Sequence, residues 1–155
     1  MPKYRLLTTE ELHELEKEFV EYLVINGLDS DKWTELNAND PEAAAKVVAL
    51  FSDVVFEGIM RKVNYLEFRA PDQLMAFQCL PDKLVLVALE APEGSDLTNP
   101  EFCQQAMSGQ VDGIRAYTTD KAYSKPREEE LFAMTEKGCT ISEDGALFKA
   151  LCMAL

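Results

Sequence analysis

The stretch most able to do chemistry runs Ile114-Arg115-Ala116-Tyr117-Thr118-Thr119-Asp120-Lys121-Ala122-Tyr123-Ser124-Lys125-Pro126-Arg127, where hydroxyls, phenols and cations crowd into a predicted turn between a strand and a helix. A strand-to-helix turn points unpaired backbone donors outward and favours negative charge. Tyr117, Thr118, Lys121, Ser124, Lys125 and Arg127 would then be the contacts to a small phosphorylated or carboxylated ligand. The plainer reading is a capped turn with a solvated charge mixture, because Glu128, Glu129 and Glu130 already satisfy the helix dipole and cancel the local positive charge. No glycine-rich cradle accompanies the segment, which excludes a P-loop.

A second group is carboxylic. Asp53 and Glu57 lie four residues apart on a predicted helix, a spacing that helix-borne metal sites use, and Glu67 with Arg69 on one face of a predicted strand would complete such a site. The missing piece is imidazole. His13 is the single histidine and sits among glutamates, so neither a di-metal centre nor a Ser-His or Cys-His nucleophile has its base. The element order resembles that of restriction-endonuclease-like nucleases, which hold a metal with an Asp and a Glu-x-Lys. Here Glu90 is followed by Ala91 and Pro92, and Glu67-Phe68-Arg69 offers only a displaced imitation, so the resemblance is one of topology. No metal ligand set and no cofactor is expected.

Composition bounds the rest. The chain has 155 residues, 47% of them hydrophobic, and 28 acidic against 15 basic side chains give a formal charge of −13. That length and apolar content fit one ordinary core. The negative charge repels nucleic-acid backbones and anionic membrane leaflets, so nucleic acid and membrane are poor partners, while solubility or a basic protein partner fits. The segment from Met1 to Leu7 lacks a signal-peptide apolar run and no later run approaches a membrane span, which points to the cytoplasm. Cys79, Cys103, Cys139 and Cys152 have no Cys-x-x-Cys spacing and read as reduced, packed thiols.

The elements that must position these groups follow from pattern. Thr8-Thr9-Glu10-Glu11 predicts a capping box opening a helix that runs to Gly27, with Leu12, Leu15, Phe19 and Leu23 on one face. Trp33 belongs to one or two helical turns that plug this helix against the next. Asp40-Pro41 opens a very apolar helix to about Lys62. Val63 to Arg69, Leu74 to Leu80 and Leu84 to Glu90 read as strands, the last covered on both faces. Asn99-Pro100 opens a helix to about Ser108, Ile114 to Thr118 is a fourth strand, and Pro126 to Lys137 and Ala146 to Leu155 are helices. The expected fold is α+β in one domain, with a helical part (1–62) packed on a small four-stranded mixed sheet and further helices after strands three and four (63–155).

Tyr4-Arg5-Leu6-Leu7-Thr8, Phe51-Ser52-Asp53-Val54-Val55-Phe56-Glu57, Tyr65-Leu66-Glu67-Phe68-Arg69, Phe77-Gln78-Cys79-Leu80 and Tyr117 to Lys125 together resemble a family of uncharacterised bacterial proteins of about this length. The resemblance implies a bacterial cytosolic protein and carries no activity. The residues leave three readings open. The leading one is a non-catalytic acidic adaptor that engages another protein or itself, through apolar surface near Leu147, Phe148, Leu151, Cys152, Met153 and Leu155. The others are binding or turnover of a small anionic ligand at the 117–127 turn, and metal-dependent nucleic-acid cleavage through Asp53, Glu57 and Glu67. The reading leans away from an enzyme.

Overall fold

The computed structural model describes residues 2–155, which fall into two compact units, one ending at Ile59 and one spanning Met60–Leu155. Among the described residues there are seven helices and five strands, and no helix is long and apolar enough to cross a membrane.

The N-terminal unit is helical. The predicted capping box is present: Thr8 accepts from the Glu11 N–H and the Glu11 carboxylate reaches back, opening α1 (Thr9–Glu14). The expected single helix is broken at Leu15, and α2 resumes over Glu16–Ile25. The break leaves α1 tied to the N-terminal segment through the Arg5–Glu11 pair at 2.8 Å, while α2 lays Phe19 and Tyr22 on Phe51 at ring distances of 4.9 and 5.3 Å. Trp33, on the ten-residue α3 (Ser30–Asn39), stands edge-on to Phe19 of α2 at 5.3 Å. Asp40 caps α4 (Pro41–Arg61) by accepting from the Ala43 N–H.

The second unit is built on one sheet. β1 (Tyr65–Ala70), β2 (Gln73–Cys79) and β3 (Lys83–Glu90) form a meander. After α5 (Pro100–Met107), β4 (Arg115–Ala122) joins the free edge of β3, and after α6 (Arg127–Glu136), β5 (Thr140–Ser142) joins the free edge of β1, giving the order β4-β3-β2-β1-β5. Two expectations are corrected. The sheet has five strands rather than four, because three-residue β5 is too short to carry a periodic signal. It is antiparallel throughout rather than mixed, since each added strand enters at an edge antiparallel to its neighbour.

Both sheet faces are covered. Leu74, Ala76, Val87 and Leu89 pack with Ala106 of α5 and with Leu147 and Leu151 of α7 (Ala146–Ala154). Leu66, Phe77, Cys79 and Leu84 pack on the other face with Leu131 of α6 and with Met60 and Val63. β3 therefore has apolar cover on both sides, as its unbroken run of aliphatic residues predicts. Gly145 starts α7 in the left-handed conformation, with φ of +67°, and a Cβ there would stand 2.7 Å from the Tyr65 ring. Only glycine lets the chain pass so close.

Candidate functional site

Residues 115–122 are edge strand β4, so the bend is short, spanning only 123–126. Pairing with β3 aligns Tyr117 with Ala88, Thr118 with Val87 and Lys121 with Leu84, and strand alternation puts Tyr117 and Lys121 on one face and Thr118 on the other. Thr118 donates to the Leu86 carbonyl at 2.9 Å. Ser124 donates twice to Glu130 Oε1, from its N–H at 3.2 Å and its hydroxyl at 2.6 Å. Lys121 Nζ stands 3.7 Å from the same oxygen. Burial alone would push the Glu130 carboxyl up, but the Ser124 donors and the ammonium groups of Lys121 and Lys125 outweigh it and hold the carboxyl below its ordinary value. Its other oxygen, Oε2, is buried without a hydrogen-bond partner among the described residues.

Arg127 points inward. Its guanidinium donates to the carbonyls of Leu80, Met60, Val63 and Cys79, and its side chain is 13% exposed. Two of those carbonyls lie at and just beyond the C-terminus of α4, where helix carbonyls lack internal partners. Arg127 thus ties the end of α4, the start of the sheet and the β2–β3 turn together. Tyr123 donates to the Leu80 carbonyl at 2.7 Å, and burial pushes its phenol up to about 12. The structure gathers Lys121 and Ser124 on Glu130, turns Thr118 and Arg127 to backbone carbonyls, and leaves Lys125 exposed in the turn.

The carboxylates are engaged as well. Asp53 accepts from the backbone N–H groups of Lys3 and Tyr4 at 2.9 and 3.1 Å, and Glu57 accepts from the Tyr4 hydroxyl and from Lys3 Nζ. Fully buried Ser52 accepts from the Leu7 N–H at 3.0 Å and donates to the Val48 carbonyl. The sequence motifs at 4–8 and 51–57 are therefore two sides of one seam. Glu67 belongs to the other unit and accepts from Arg69 Nε at 3.4 Å. Among the described residues, no group of three or more His, Cys, Asp or Glu side chains is placed to hold a metal ion. The thiols are free, and burial pushes Cys79 up to about 12, where it is a poor nucleophile.

A further concavity of the sheet unit lies elsewhere, between α5 and α7. It has a volume of about 610 Å³, with Pro100, Cys103 and Met107 on one wall and Ala146, Ala150 and Met153 on the other, and among the described residues Arg69 is the only ionic one in its lining. The groove is open to solvent, since Met153 on its rim is 88% exposed. The α7 tail divides: Leu147 and Leu151 are buried on the chain's own sheet and Phe148 packs on Tyr65 at 5.7 Å, while Met153 and Leu155 face solvent. The groove was legible only in part. The spacing of Cys103 and Met107, and of Ala146, Ala150 and Ala154, places each set on one helix face, but only the fold sets the two faces opposite each other.

A family model spans residues 1–155. The chain belongs to DUF6495, a family of unknown function. No curated protein and no solved structure matches it. The family carries no assigned activity, so any functional reading rests on geometry.

Proposed function

We propose that this member of DUF6495 is a non-catalytic protein-binding domain, an acidic adaptor that receives an apolar helix of a partner in the groove between α5 and α7. The observation that carries the reading is the groove itself: about 610 Å³, mostly apolar on both helical walls with Gln104 and Ser108 as polar groups on the α5 side, and open along one side. Sites for small ligands bury most of the ligand surface, whereas an open channel between helices suits a helix laid in lengthwise with anchors at i, i+3, i+4 and i+7. Self-association is the weaker choice, because two copies each at −13 repel.

The rival readings have less support. Binding or turnover of an anionic ligand at 117–127 would require Ser124 to leave Glu130 and Arg127 to leave four buried carbonyls. A cleavage site through Asp53, Glu57 and Glu67 would require the first two to release the N-terminal segment.

The test is selection of a displayed peptide library, fixed apolar at i, i+3, i+4 and i+7 and random elsewhere, on the full chain. A folded Ala150→Trp variant, whose indole fills the groove, serves as the counter-target. Enriched peptides that bind the natural chain and fail on the variant are the expected result. Recovery of no peptide sensitive to the Ala150 substitution contradicts the proposal.

A further inference from the structure

We infer that Arg69 is the specificity-determining residue of the groove, and that the helix it selects is basic overall but carries one carboxylate placed to meet that guanidinium. The inference rests on the groove being the docking surface and adds what the groove reads.

Arg69 is placed by the sheet. Its alternation with Glu67 along β1 sets both on the face that α5 and α7 cover, and its register partner is fully buried Leu74. β5 pairs with β1 only at Tyr65, Leu66 and Glu67, so Arg69 lies beyond the end of that short strand, where the groove remains open. Its one side-chain partner among the described residues is Glu67, which takes Nε at 3.4 Å. Nη1 and Nη2 make no hydrogen bond there, leaving the planar two-nitrogen edge that suits a carboxylate free to receive one. The Arg69 side chain is 48% exposed, and an ion pair so exposed contributes little, so Glu67 does not compete strongly.

Charge complementarity fixes the occupant. Against an otherwise uncharged lining, one cation with an open fork selects one acid, and an apolar helix without it would leave the guanidinium desolvated and underbonded. The chain as a whole carries −13, which steers a partner whose exposed face is basic. A long-chain carboxylate such as dodecanoate shares the Arg69 chemistry, but an open channel would leave much of its alkyl chain in water.

The experiment sequences the peptides enriched by the same patterned library on the natural chain, on Arg69→Gln and on Arg69→Glu. On the natural chain, Asp or Glu is expected at one fixed position relative to the apolar anchors. That preference disappears on Arg69→Gln and becomes Lys or Arg on Arg69→Glu. A purified acid-bearing peptide is expected to lose about tenfold or more in affinity on Arg69→Gln, and its Glu→Gln counterpart to lose almost nothing. Groove-dependent peptides with no acidic position would overturn the role of Arg69 while leaving the docking surface standing. Absence of any groove-dependent peptide would overturn both. Dodecanoate binding more tightly than every selected peptide, in an Arg69-dependent way, would overturn the helical occupant.

Discussion

Arg127 and Arg69 are the same side chain in opposite circumstances. Arg127 is 13% exposed and engages four backbone carbonyls. Arg69 is 48% exposed and touches one carboxylate at 3.4 Å. Positive charge in an acidic protein therefore does not by itself mark a place for an anion. What matters is whether the donors are already satisfied: those of Lys121, Ser124 and Arg127 are directed to Glu130 and to backbone, whereas the terminal nitrogens of Arg69 in the α5–α7 groove are not so engaged.

Substitutions at the two positions should separate sharply. Arg127→Met removes the side-chain donors to the carbonyls of Val63, Cys79, Met60 and Leu80, the last two of which keep a second donor, and a loss of about 3 kcal/mol in denaturant unfolding is expected. Arg69→Gln should cost no more than about 0.5 kcal/mol in the same measurement. Equal losses would erase the contrast. Leu131→Ala, at a fully buried site under the sheet face opposite the groove, should cost about 2 to 5 kcal/mol and leave peptide binding in the groove unchanged once corrected for the folded fraction.

Gly145→Ala should cost about 2 kcal/mol, combining the left-handed backbone with the approach to Tyr65. Because Gly145 sets the start of α7, the same variant should also weaken groove binding, which a residue of the bend should not do.

The smallest effect concerns pH. The folded Glu130 carboxyl titrates below its ordinary 4.5, so the unfolded chain takes up the proton first. The stability it contributes is present above that unfolded value and is lost as pH falls through the depressed folded value. The stability gap between the natural chain and Glu130→Gln should accordingly shrink as pH drops below 4.5 in parallel urea titrations. A gap that is flat or widens there would mean Glu130 is not held ionised by Ser124 and Lys121.

Local signals in the sequence account for most elements and little of the site. Thr8-Thr9-Glu10-Glu11, Asp40-Pro41 and Asn99-Pro100 carry their own capping chemistry, and helices begin at each. β4 runs four residues past Thr118 because it is an edge strand, polar on both faces, with no hydrophobic alternation to mark its end. Lys83 and Asp120, 3.3 Å apart, join β3 to this charged edge. The cations of 121–127 look available in sequence because the carbonyls of Met60, Val63, Cys79 and Leu80 are remote from Arg127 and hidden in the backbone, and because nothing in the run Glu128-Glu129-Glu130 marks Glu130 as the one that folds back onto Ser124 and Lys121. The two faces of the groove can each be read from spacing, but their pairing cannot, since they belong to helices separated by β4, α6 and β5.

The most direct measurement is a two-dimensional NMR titration of the full chain with a peptide enriched on the groove. Shifts confined to Pro100–Ser108, Ala146–Ala154 and Arg69, with Tyr117 to Arg127 unmoved, are the predicted result. Shifts centred on Lys121, Ser124 and Lys125, with α5 and α7 silent, would contradict the account.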